Sequence, residues 1–137
     1  MAEQVYQNRQ RTSARSGILK SEAVLRFSEV LYQFDVDYSQ DVSKILGDTR
    51  FEAKIQEIPG QRSGISLRYF YMLTGSEEFI KPDRMVNRFV YQATGKTFGI
   101  EKTTELLIGA SKILAEKYPG LTPRKLDNII WKYQRAR

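Results

Sequence analysis

The sequence predicts an all-α protein of about seven helices. Every long apolar pattern repeats with helical period, no segment sustains period-two alternation, and Gly, Pro and capping residues divide the chain at intervals that suit short helices. A length of 137 residues, 41% of them apolar, suits one domain able to bury a core. Residues 1–17 are polar and basic and predict a flexible N-terminal arm carrying Arg9, Arg11 and Arg15. A single helical domain is expected over residues 18–137.

The first helix is expected over 21–34, with Ser21 as its N-cap and Val24, Phe27, Leu31 and Phe34 as its apolar stripe. A short second helix starts near Ser39, carries Val42, Ile45 and Leu46, and stops at Gly47. Asp48 is placed to cap a third helix that buries Phe51, Ile55 and Ile58. Pro59-Gly60-Gln61-Arg62-Ser63-Gly64 then interrupts the helical pattern. A fourth helix follows over 63–73, rich in aromatics (Tyr69, Phe70, Tyr71), and ends at Gly75.

Pro82-Asp83 opens a fifth helix that runs to about Ala93. Proline suits a first turn, and an aspartate there complements the positive end of the helix dipole. The sixth helix, over 100–118, is expected to bury Leu106, Leu107, Ala110, Ile113 and Leu114, and Pro119-Gly120 ends it. Thr122 caps a seventh with Pro123 at its first position, and Leu126, Ile129, Ile130 and Tyr133 are its core candidates.

Composition narrows the chemistry. The chain has no Cys, which excludes disulfides, thiolate metal sites and iron–sulfur clusters, and no His, which removes the commonest general base. Acid–base work would fall to carboxylates, and no cofactor or metal ion is expected. A formal charge of +6 favours a polyanionic partner or serves only as a solubilising surface. No run approaches the ~18 apolar residues of a membrane span, and the N-terminus lacks an apolar signal core, so a cytoplasmic protein is expected.

The Ile58-Pro59-Gly60 turn between two helices is the first functional signal. Such a turn directs backbone N–H groups outward at the start of a helix, where they and the helix dipole can hold a phosphate oxygen. Small residues such as Gly60 and Gly64 let a nucleic-acid backbone come close. An apolar-Pro-Gly turn also occurs in helical proteins with no such role.

At this point the chain resembles the helix–hairpin–helix DNA glycosylase superfamily, the group that includes endonuclease III. Ile55, Gln56, Glu57, Ile58, Pro59 and Gly60 match the first part of the family's hairpin. Gln61 stands where an apolar residue is usual, and Arg62 where a second glycine is expected; either Gly64 takes that glycine's place through a shifted turn, or Arg62 gains a phosphate contact. The family's aspartate, roughly two dozen residues past the hairpin glycine, has its counterpart in Asp83 within Lys81-Pro82-Asp83-Arg84-Met85-Val86-Asn87-Arg88. Val86 lies near the family's apolar position, Arg88 matches its Arg, and Met85 replaces its His. Gly17-Ile18-Leu19-Lys20-Ser21-Glu22-Ala23 looks like the segment leading to the helix before the hairpin. The stretch from Leu126 to Trp131 looks like the family's closing helix.

The resemblance implies DNA binding through Pro59, Gly60, Gln61, Arg62, Ser63 and Gly64, supported by Arg68, Lys81 and Arg84. It implies Asp83 as the catalytic carboxylate of base excision, stabilising the cationic sugar formed when an N-glycosidic bond breaks. Asp83 equally reads as a helix N-cap paired with Arg84 or Arg88. Tyr69, Phe70 and Tyr71 are candidates for a base pocket or for the core, and Trp131 for base stacking or for packing. The family's bifunctional members carry a Schiff-base lysine where this chain has Gly64 or Ile65, and no lysine occurs from Gln61 to Ile80. Monofunctional removal of a modified or damaged base is therefore the implied activity. The family's opening helices have no counterpart here, so a homodimer or a partner subunit is expected to complete the helical barrel. A non-catalytic DNA-binding module and an all-α interaction protein are the competing readings.

Overall fold

The computed structural model describes residues 3–14 and 16–137; Met1, Ala2 and Arg15, the last expected as part of the basic arm, lie outside them. The described residues form six α-helices and one 3-10 helix: α1 (Lys20–Gln33), the 3-10 helix (Ser39–Lys44), α2 (Thr49–Glu57), α3 (Ile65–Leu73), α4 (Arg84–Thr94), α5 (Ile100–Lys117) and α6 (Pro123–Arg135). Among the described residues no strand forms, and one isolated antiparallel bridge joins Arg11 to Leu19. No helix is long and apolar enough to cross a membrane among these residues. The chain divides into two compact units, one ending at Leu67 and one running Arg68–Arg137, with the division inside α3.

In the first unit α1 packs on α2. Phe51 is fully buried and receives Phe27 and Phe34 edge-on, at ring-centre distances of 6.5 and 5.3 Å. The buried stripe of α1 differs from the one expected. Ala23 and Val30 are buried while Val24 is 48% exposed, because Phe51 draws in the face that carries Phe27 and Phe34. Ser21 does not cap α1; Leu19 holds that position without a side-chain cap, and Ser21 is buried one position inside the helix. The second helix is 3-10 rather than α, burying Val42 and leading to buried Ile45, with Leu46 exposed. Asp48 caps α2 by accepting from the N–H groups of Arg50 and Phe51. The hydrogen bond from the Arg50 guanidinium first, then these backbone bonds, hold its carboxyl below the usual range.

Within the stretch expected to be a flexible basic arm, Gln10, Arg11 and Thr12 hydrogen-bond to the segment leading into α1. Thr12 N–H donates to Ile18 O and Lys20 N–H to Gln10 O, at 2.9 and 2.8 Å. Arg11 Nε donates to Gly17 O, so this arginine is spent on the loop's own backbone.

In the second unit α6 packs against α4 and α5. Ile80, Val86, Val90, Leu107, Leu126 and Ile130 form the core. The buried faces of α5 and α6 are rotated from those expected. α5 buries Thr103, Leu107 and Ser111 and leaves Ile113 70% exposed; α6 buries Leu126, Asp127, Ile130 and Gln134 and leaves Ile129 and Tyr133 exposed. On these faces Thr103 Oγ1 donates to Asn87 Oδ1, Ser111 Oγ to Ile108 O, and Gln134 Nε2 to Gln92 Oε1, while Gln134 Oε1 is buried without a partner. Thr122 caps α6 as its sequence predicts, accepting from Lys125 N–H.

Candidate functional site

The turn over 58–64 belongs to the first unit. Ile58, Pro59, Gly60 and Gln61 form a tight turn closed by Gln61 N–H donating to Ile58 O at 2.9 Å. Gly60 has φ +89°, the conformation that the third position of a type II turn requires. A second turn follows, with Gly64 N–H donating to Gln61 O at 3.0 Å and Gly64 at φ +69°. Arg62 is not among the residues with positive φ, so Gly64, three residues before Leu67 in the chain, carries the left-handed conformation and Arg62 escapes that strain.

At Gly60 the close neighbour is within the chain itself. A Cβ there would overlap the Thr12 side chain. Thr12 Oγ1 donates to Pro59 O at 3.0 Å and accepts from Ile18 N–H at 3.2 Å. The space beside Gly60 that was expected to admit a phosphate on its Cβ side is therefore taken by Thr12. On the turn Gln61 is half-buried, and Arg62 and Ser63 are exposed.

The second unit holds a cavity of about 340 Å³, within the roughly 300–1,000 Å³ typical of small-ligand sites. It is built on α3, the loop before α4, and α6. Asp83, Lys81, Tyr69 and Trp131 line it together with Asp127 and Arg124. Asp83 is the N-cap of α4: its Oδ1 accepts from Met85 N–H at 2.8 Å and Val86 N–H at 3.1 Å. Its other oxygen, Oδ2, lies 3.8 Å from Lys81 Nζ, so its cationic neighbour is Lys81 rather than Arg84 or Arg88. Lys81 Nζ also sits 4.0 Å from the centre of the Tyr69 ring. On the opposite helix Trp131 is stacked against the Arg135 guanidinium, 5.1 Å from ring to cation.

Asp127 is the functional candidate that sequence reasoning missed. Its side chain projects from α6, and Oδ1 accepts from Lys81 N–H at 2.9 Å, which fixes the loop that carries Lys81 and Asp83. Burial pushes the Asp127 carboxyl up to about 6; the Lys81 N–H works against that rise and the charge of Asp83 adds to it. A carboxyl in that range holds or releases a proton near neutral pH. Two carboxylates, a lysine and two aromatic rings thus meet in one cavity.

The other expected residues fall elsewhere. Tyr71 is core, packed at 5.0 Å on Phe79, and Phe70 packs on Tyr71 at 6.0 Å. Arg68 donates to Glu101 at 2.8 Å, and its other terminal nitrogen is buried without a partner. Arg84 is exposed at the start of α4 and does not line the cavity. Among the described residues no group of three or more carboxylates is placed to hold a metal ion.

This is an all-helical protein whose second unit presents a cavity lined by two cations, two carboxylates and two aromatic rings, with the aspartate that caps α4 at its wall. The chain belongs to the family described as "Domain of unknown function (DUF8548)", whose pattern covers residues 1–135. No curated protein and no solved structure matches it.

Proposed function

We propose that this protein binds DNA and receives one nucleotide, drawn out of its strand, in the cavity of the second unit, where Asp83 supports removal of a modified base. The observation that carries the reading is the meeting of Asp83 and Lys81 with the Tyr69 and Trp131 rings in one cavity. Aromatic faces stack an extruded base, a cation meets the adjoining phosphate, and a carboxylate stabilises the positive charge that builds on the sugar. In the reaction the C1′–N bond breaks with its electrons leaving on the base, water adds to C1′, and the proton that water loses ends on the departing base. Asp83 orients that water and faces the cationic sugar; Asp127 holds the loop of Asp83 through its bond from Lys81 N–H. The turn over 58–64 supports the DNA through Gln61, Arg62 and Ser63, and the formal charge of +6 favours the polyanion.

One observation favours a second reading, a binding module without chemistry. Asp83 already serves α4 as a cap through Oδ1, a structural duty sufficient to explain an aspartate after Pro82. The test is a base-release assay on oligonucleotides carrying a panel of modified bases. The catalytic reading predicts abasic, uncut strands from the parent, at least a hundredfold less product from Asp83→Asn, and DNA affinity kept or raised in that variant. Full activity in Asp83→Asn removes the residue from the chemistry. Release of no base by the parent, with DNA binding intact, leaves the module.

A further inference from the structure

A second concavity in the same unit, an open groove of about 620 Å³, runs beside the cavity along α6 and the loop before it. Arg124, Lys125 and Lys132 line it against a single carboxylate, Glu77. That carboxylate is engaged: its oxygens accept from Thr122 Oγ1 at 2.5 Å and from Arg124 at 3.0 Å, and the Thr122 hydroxyl first, then Arg124, holds its carboxyl below the usual range. Arg124 and Asn128 line both the groove and the cavity. Lys125 and Lys132 stand two helical turns apart on α6, about 10 Å along its axis. At the end of α6 and just past it the cations continue as Arg135 over Trp131 and Arg137 over Tyr133 at 4.9 Å.

We propose that this groove binds the phosphodiester backbone of the DNA strand on one side of the nucleotide held in the cavity. The inference rests on the proposed DNA-binding function and gives it a second contact surface, separate from the turn over 58–64. The continuity of the two concavities supplies the path: a strand leaving the cavity past Arg124 and Asn128 enters the groove directly. The excess of cations over carboxylates along one wall supplies the charge complementarity, and the amide of Asn128 at the junction can bond to phosphate or sugar oxygens. The alternating ring and guanidinium pairs at the end of α6 are of the kind that support a strand's bases beside its phosphates.

The test measures fluorescence anisotropy of a labelled single-stranded DNA oligonucleotide over a range of salt concentrations, with three proteins: the parent, Lys125→Ala/Lys132→Ala, and Lys102→Ala/Lys112→Ala, which removes the same charge from exposed sites on α5. Both variants keep their buried faces, since all four lysines are exposed. The groove variant is expected to bind about tenfold more weakly at low salt, and its log–log salt dependence to be shallower by about 1.4, the loss of two phosphate contacts on a single strand. The α5 variant is expected to follow the parent closely. Equal losses in the two variants would mean a general charge effect and overturn the groove while leaving DNA binding standing. A parent that binds no DNA overturns the proposed function and the groove together.

Discussion

Replacing Asp127 by asparagine removes a carboxyl that burial pushes up to about 6 and keeps an oxygen to accept from Lys81 N–H. The raised value fixes the sign of its pH dependence. Its contribution to stability is full below the ordinary carboxylate range and is lost as pH rises through about 6, where the folded state must hold a charge away from water. Asp127→Asn is therefore expected to melt higher than the parent at pH 7.5, by about 4 °C, the shift that roughly 1 kcal/mol produces in a chain of this size. The difference should close by pH 4. A lower Tm for the variant at both pH values would contradict the account of the carboxyl. Gly60 offers a second test at single-residue resolution. Gly60→Ala places a Cβ against Thr12 at φ +89° and is expected to destabilise by about 1–3 kcal/mol in urea unfolding. In the background of Thr12→Gly, which empties that space, the same substitution should cost measurably less. An equal cost in both backgrounds would leave backbone strain alone as the cause.

At the scale of elements, local signals decided which predictions held. Asp48, Asp83 and Thr122 are caps that act on N–H groups two or three residues away, and all three were legible in the sequence. Which face of a helix is buried depends on partners far along the chain. The apolar residues of α5 and α6 allow more than one stripe, and the buried faces are rotated from the most apolar ones because Thr103 Oγ1, Ser111 Oγ and Gln134 Nε2 find partners there. Asp127 escaped for the same reason: its bond to Lys81 spans 46 positions, and nothing beside Leu126 announces it. Asp83 and Lys81 were candidates through the resemblance of the stretch from Lys81 to Arg88; their meeting with Trp131 in a cavity depends on α6, some fifty positions away, and was not legible. The cap of α6 offers the element-level prediction. Thr122→Ala loses the bond from Lys125 N–H and the one to Glu77, and is expected to lower stability by about 1–2 kcal/mol in urea unfolding. Thr122→Ser, which keeps the hydroxyl, should restore most of it.

For the whole molecule, the central claim is that DNA enters the cavity of the second unit rather than meeting only a charged surface. Trp131 lines that cavity and is the only tryptophan in the sequence, so its emission reports from the site without a label. The most direct measurement is a titration of the protein with single-stranded DNA, followed by Trp131 fluorescence and by anisotropy of the labelled strand in parallel. The account predicts saturable quenching of Trp131 with the same midpoint as the anisotropy, weakening together with it as salt rises and greatly reduced in Lys81→Ala. Binding seen by anisotropy with the emission of Trp131 unchanged would contradict it.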